Sequence, residues 1–180
     1  MKLIETGIQD LFVIEPEVFS DERGYFFESF SLTKFLKHHL NYNFVQDNEA
    51  KSVFGVIRGL HYQTNEKAQS KLVRVIQGSV KDVVVDIRPH SNTYGKIFSI
   101  ELTESNKLQL LIPKGFAHGY SVLSDTSIFS YKCDEFYSKE NEGGIYLLDP
   151  QLNIDWEVPI DKAIMSEKDK LWPHFGLHKM

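Results

Sequence analysis

The chain has 180 residues, the span of one ordinary domain, and its 42% apolar and 25% charged residues exclude a disordered chain. A net charge of −5 with no lysine–arginine cluster argues against a nucleic-acid partner, and the lone cysteine, Cys133, excludes an intramolecular disulfide. No apolar run reaches the ~18–20 residues that span a bilayer and the first residues carry no signal-peptide core, so the expectation is a soluble cytoplasmic protein without a membrane partner.

The N-terminal third reads as strands plus one helix. In "SLTKFLKHHL" (31–40) the apolar residues fall at 32, 35, 36 and 40, with Ser31 or Thr33 as a cap. Next comes "GVIRGLHYQ" (55–63), which puts a guanidinium and an imidazole inside a strand-like run. Strict alternation would send Arg58 and His61 to opposite faces. If both serve one ligand, the ladder must be perturbed between them, and Gly59 is the place for a bulge.

The middle is a series of short strands. Residues 71–88 read strand, Gly78, strand; 96–102 and 107–112 are expected to pair around "TESN"; and 118–133 is expected to form a hairpin around Ser124–Asp125. Spacing of this kind predicts a sandwich or barrel rather than βαβ units, and the 13 Phe and 8 Tyr suit half-buried β surfaces. A second short helix is expected at Ser166, where "SEKD" fits a capping box. No repeat or linker divides the chain, so one domain over 1–180 is expected.

"PKGFAHG" (113–119) sits between two of these strands, and its Pro-x-Gly-x-x-His resembles the second signature of the cupin β-barrels. Gly59-Leu60-His61 stands where their first signature would be. The resemblance implies an all-β cupin jelly-roll barrel with short helical additions near the N- and C-termini. Metal-binding cupins offer His-x-His at the first signature; here it is His61-Tyr62-Gln63. Two imidazoles, His61 and His118, fall short of the three protein ligands usual in catalytic metal sites, so no metal is expected.

The resemblance narrows when "KLVRVIQGSVKDVVVDIR", "YKCDEFYS", "NEGGIYLLDP" and "IDWEVP" are added in order. From "DERGYFFESF" (21–30) to "SEKDK" (166–170) the chain resembles the RmlC family of dTDP-4-dehydrorhamnose 3,5-epimerases. That resemblance implies inversion of carbons 3 and 5 of a dTDP-linked 4-keto-6-deoxy sugar, in dTDP-L-rhamnose biosynthesis. Both carbons lie beside the C4 carbonyl, which acidifies their C–H bonds through an enolate. The reaction needs a base on one face, an acid on the other and a positive partner for the enolate oxygen. It requires no cofactor.

By resemblance, His61 is the base, Asp169 its dyad partner, Tyr131 the acid and Lys71 the partner of the enolate. The plainer readings are an interior histidine, a helix-capping aspartate, a core tyrosine and a solvated lysine. The resemblance places Arg23, Phe26, Glu28, Gln46, Asp47, Asn48 and Arg58 on the nucleotide or sugar. It puts Tyr137 on the thymine base, and Glu142 and Lys168 at further ligand positions. His118, with Asp82, is expected as a polar pair in the barrel that also meets substrate. The family further implies a homodimer that exchanges N-terminal strands, so Arg23 or Phe26 would complete a partner's site. A single-carbon epimerase or ketoisomerase would use much the same residues. A non-catalytic sugar-binding cupin would need neither the base nor the acid.

Overall fold

The computed structural model describes residues 1–179 and is built on two antiparallel sheets. With strands numbered in chain order, the first sheet runs β1 (Lys2–Glu5), β2 (Phe12–Glu15), β10 (Gln109–Ile112), β7 (Lys71–Gln77), β12 (Thr126–Cys133), β5 (Gln46–Val53). The second runs β13 (Glu142–Gly144), β6 (Ile57–Gln63), β11 (Phe116–Val122), β8 (Ser79–Asp86), β9 (Ile97–Thr103). A separate two-stranded ribbon joins β3 (Phe19–Asp21) to β4 (Gly24–Phe26).

The strands expected at 71–88, 96–112 and 118–133 all form, but the expected hairpins do not. β9 pairs with β8 while β10 pairs with β2 and β7; β11 pairs with β6 and β8 while β12 pairs with β5 and β7. Each turn therefore crosses from one sheet to the other, which is the jelly-roll connection. At Gly78, a residue with φ +78, a Cβ would collide with the carbonyl oxygen of Thr126. Only glycine fits that corner. The crossing lets Val73 and Val75 of β7 meet Val80 and Val84 of β8 across the sandwich, in a core that also holds Leu102, Leu110, Tyr120 and Phe129. A hairpin and a sheet crossing share the same alternating pattern, and packing decides between them.

The outer face of the second sheet is covered in turn. Leu60, Val83 and Val85 pack there against Ile145, Leu147 and Trp156 from the C-terminal third. This explains why β8 is buried on both faces, with Val83, Val84 and Val85 enclosed in succession.

The first helix, α1 (Leu32–Lys37), is shorter than the expected 31–40. It stops because His39 turns to φ +60, which lets the Leu40 amide close on Phe35 O and tucks both side chains against Ile14 and Leu72. Ser31 stands at its N-cap without a side-chain hydrogen bond. The second helix, α2 (Glu167–Lys170), begins as expected, with the Asp169 amide donating to Ser166 Oγ at 3.1 Å. Among the described residues no helix is long and apolar enough to cross a membrane.

Candidate active site

The perturbation expected at Gly59 is present. His61 pairs with His118 and Arg58 with Tyr120, so three steps along β6 match two along β11, and the ladder bulges between them. Gly59 has φ +138, and a Cβ there would lie 2.5 Å from the Cα of Gly119. The bulge turns Arg58 and His61 toward one cavity of about 450 Å³ inside the barrel.

His61 Nε2 lies 2.6 Å from Asp169 Oδ1. The ring is about one-third exposed, whereas the carboxylate is buried. Burial works to raise the Asp169 pKa, but hydrogen bonds with His61 and Ser166 and the neighbouring imidazole outweigh it and hold the group below its ordinary range. An ionised carboxylate only accepts, so the neutral ring carries its proton on Nε2 and keeps the Nδ1 lone pair free. The Asp169 side chain faces the imidazole. The capping of α2 is done by Ser166.

Two further groups meet this dyad. Lys71 opens β7 and its ammonium forms no salt bridge or hydrogen bond among the described residues; burial pushes its pKa down. Tyr131, on β12, has its phenol pushed up to about 12 by burial, so it holds its proton at neutral pH. Both line the same cavity as His61. Behind them His118 Nε2 sits 2.9 Å from Asp82 Oδ2, the polar pair expected from the sequence. Arg58 is steadied by Ser52, its Nε donating to Oγ at 3.2 Å.

A second cavity of about 330 Å³ shares His61, Lys71 and Tyr131 with the first and extends past Gln46, Asn48, Tyr137 and Glu142. Gln46 donates to Asn48 Oδ1 at 3.0 Å. Tyr137, half exposed, donates to Glu142 at 3.1 Å, and Glu142 also accepts from Lys168. The two cavities thus gather most of the residues expected from the sequence along one continuous path.

Four expected residues lie elsewhere in this chain. Asp47 alternates outward between Gln46 and Asn48 and pairs with Lys132 at 2.7 Å. Arg23 and Phe26 belong to the exposed ribbon, where Arg23 pairs with Asp21 and Phe26 is 67% exposed. Glu28 pairs with Lys34 at 2.6 Å, away from both cavities. The sequence reading also passed over Tyr120, which is stacked on Phe129 at 4.2 Å and lines the first cavity. The same holds for Ile164 and Met165, which wall the cavity because Ile164 bridges Val56 in parallel. Their only signal was position, two and one residues before Ser166.

A barrel cavity that sets a carboxylate-backed imidazole, an unpaired ammonium and an un-ionised phenol around one space is equipped as an acid–base isomerase acting beside a carbonyl. The comparisons with known proteins give the family. Residues 5–176 match the family model described as dTDP-4-dehydrorhamnose 3,5-epimerase, and the chain belongs to that family. A relative of that name from Methanothermobacter thermautotrophicus is 49% identical over 172 residues, covering 95% of this chain and 92% of its own. The crystal structure of dTDP-4-dehydrorhamnose 3,5-epimerase from Elizabethkingia anophelis superposes with a TM-score of 0.94 at 52% identity, over 98% of this chain and 97% of that one. That of RmlC from Legionella pneumophila, solved in complex with dTDP-4-keto-L-rhamnose, gives 0.92 at 46% identity, over 98% and 93%.

Proposed function

We propose that this chain converts dTDP-4-dehydro-6-deoxy-D-glucose into dTDP-4-dehydro-L-rhamnose, inverting C3 and C5, in dTDP-L-rhamnose biosynthesis. The observation that carries the reading is that the His61–Asp169 dyad, Tyr131 and Lys71 all line one cavity. In this reading His61 Nδ1 takes the proton from carbon next to the C4 ketone. Asp169, already ionised, stabilises the imidazolium. The ammonium of Lys71, free of any competing carboxylate, meets the enolate oxygen. Tyr131 returns a proton from the opposite face, and exchange with solvent resets both groups before the second carbon reacts.

Arg58 and His118 hold the sugar and diphosphate end, Arg58 through its planar fork. Gln46, Asn48, Tyr137, Glu142 and Lys168 take the nucleotide end, with Tyr137 stacked on thymine. Arg23, Phe26 and Glu28 act in trans. The ribbon that carries Arg23 and Phe26 exposes Phe19, Tyr25 and Phe26 and does not reach this chain's own cavity, which supports a homodimer in which each chain completes its partner's site. Asp47 has no role in substrate binding in this reading. The chain works as one domain in the cytoplasm and needs no metal, since two barrel imidazoles fall short of the three protein ligands usual in a catalytic metal site.

The test is substrate incubated in heavy water with His61→Asn and Tyr131→Phe proteins. His61→Asn should show neither inversion nor deuterium uptake at C3 and C5. Tyr131→Phe keeps the base, so uptake should exceed inversion. Each defect should be ~10²–10⁴-fold. Product stereochemistry by proton NMR separates double inversion from a single-carbon epimerase, and unchanged exchange in His61→Asn would remove His61 from the base role.

A further inference from the structure

The first cavity absorbs Arg58 and His61 from "GVIRGLHYQ", but Gln63 at the end of the same strand has no part in the chemistry above. It is 7% exposed, and its Oε1 accepts the backbone N–H of Ser138 at 2.8 Å. That bond fixes the amide's orientation, because a backbone N–H can face only the carbonyl oxygen. Ser138 directly follows Tyr137 in the loop 134–141, which joins β12 to β13. The loop has little regular structure apart from a 3₁₀ turn at Lys139–Asn141.

The loop is tied at both ends by β6 and the residues that follow it. At its start, Gln69 Nε2 donates to Glu135 O at 2.7 Å. At its end, the Thr64 amide donates to Asn141 O at 2.8 Å and the Thr64 hydroxyl to the same oxygen at 3.1 Å. Between these ties, the Tyr137 amide reaches only Gln46 Oε1, at 3.4 Å. Gln63 therefore supplies the short bond next to the aromatic ring. It also pairs directly with Glu142, the acceptor of the Tyr137 hydroxyl, in the β6–β13 ladder.

We infer that Gln63 is a positioning residue: its side-chain carbonyl latches the Tyr137 loop to the strand that carries His61, and so sets the nucleobase platform in register with the base. The inference rests on the reading of Tyr137 as the thymine-stacking residue. Half-exposed as it is, that ring has few packing contacts to hold it, so its place depends on the backbone bonds on either side.

The experiment uses the full chain with Gln63→Met, which keeps the length but replaces the carbonyl acceptor of the Ser138 amide by a weakly accepting thioether. Hydrogen exchange followed by NMR should show lost protection at Ser138, with β7, β11 and β12 amides protected as before. Gln63→Glu, which retains an acceptor, should keep the Ser138 protection. Calorimetric titration with dTDP should give a Kd raised at least about tenfold in Gln63→Met, the usual scale for leaving one buried amide unpaired. Unchanged dTDP affinity with Ser138 protection lost would overturn the positioning role. Protection retained in Gln63→Met would overturn the latch itself. Tyr137→Ala serves as the separate control: if it leaves dTDP affinity unchanged, the stacking reading fails, whatever Gln63 does. If it weakens dTDP and Gln63→Met does not, the stacking reading stands and the positioning role of Gln63 fails. A Gln63→Met protein that loses β-strand protection throughout would make Gln63 a core stabiliser, against the inference.

Discussion

Replacing Asp169 by Asn tests whether the dyad or the helix cap explains that residue. The substitution keeps size and hydrogen-bonding capacity but removes the charge facing His61 at 2.6 Å. A charge-assisted hydrogen bond of this kind contributes ~1.5–3 kcal/mol. At ~1.4 kcal/mol per tenfold, kcat/KM should fall ~10–150-fold. Partial exposure of the imidazole favours the lower half of that range. The assay is initial-rate kinetics on the dTDP-4-keto sugar, with deuterium uptake measured in parallel so that loss of the proton-abstraction step is seen directly. Ser166→Ala is the control, since it removes the side-chain cap on the Asp169 amide and leaves the carboxylate in place; its effect should stay within about threefold. Stability should follow the sign of the pKa shift. A carboxylate held below its ordinary value stabilises the fold above its unfolded pKa of ~3.9, and that contribution is lost as pH falls through the folded value. The Tm gap between wild type and Asp169→Asn should therefore close below about pH 4. Equal kcat/KM for wild type and Asp169→Asn, or a larger loss in Ser166→Ala, would refute the dyad.

Lys71→Met should lower kcat by ~10²–10³ for loss of the enolate partner, while raising Tm because a half-buried ammonium without a salt bridge is replaced by an apolar chain. Burial lowers the lysine pKa, so the alkaline limb of the wild-type rate profile should lie below ~10.5 and disappear in the variant; a limb that persists there belongs to another group. Gly59→Ala should cost about 2–5 kcal/mol, since its Cβ meets the β11 backbone at a φ that disfavours side chains, and Tm should drop by ~5–15 °C in a thermal melt. Extended dialysis against a chelator should leave the turnover rate unchanged, because among the described residues no three His, Cys, Asp or Glu side chains cluster to hold an ion. Recovery of a lost rate by one particular divalent ion would reverse that reading.

The strands and both helices were legible in the sequence because they rest on local periodicity and capping: Ser166 does cap α2, and the bulge at Gly59 does bring Arg58 and His61 together. Strand partners were not legible. Around "TESN" and Ser124–Asp125 the chain crosses between sheets, and nothing in an alternating pattern separates that from a hairpin. The same limit applies to the site. His61, Lys71, Tyr131 and Asp169 came from motif resemblance, whereas Ile164 and Met165 line the cavity through a single parallel bridge to Val56, a contact no spacing announces. Asp47 was carried along by its neighbours, but period-two alternation points it outward to Lys132.

One physical cause sets the working state of the groups in the cavity. Burial disfavours charge, so it lowers the Lys71 pKa and raises that of Tyr131; alone, it would also raise that of Asp169. Asp169 escapes because the His61 ring and Ser166 supply hydrogen bonds that favour its ionised form. Tyr131 gains no such partner and stays protonated, as the acid role proposed for it requires. Among the described residues Lys71 forms no salt bridge, and in the proposed mechanism its charge becomes better paired when an enolate oxygen forms beside it. The barrel interior thus leaves Asp169 as an anion beside His61, Tyr131 as a neutral phenol and Lys71 as a cation with no salt bridge among the described residues. The proposed enolate mechanism requires that assignment, and at Asp169 the hydrogen bonds together with the neighbouring imidazole keep burial from erasing it.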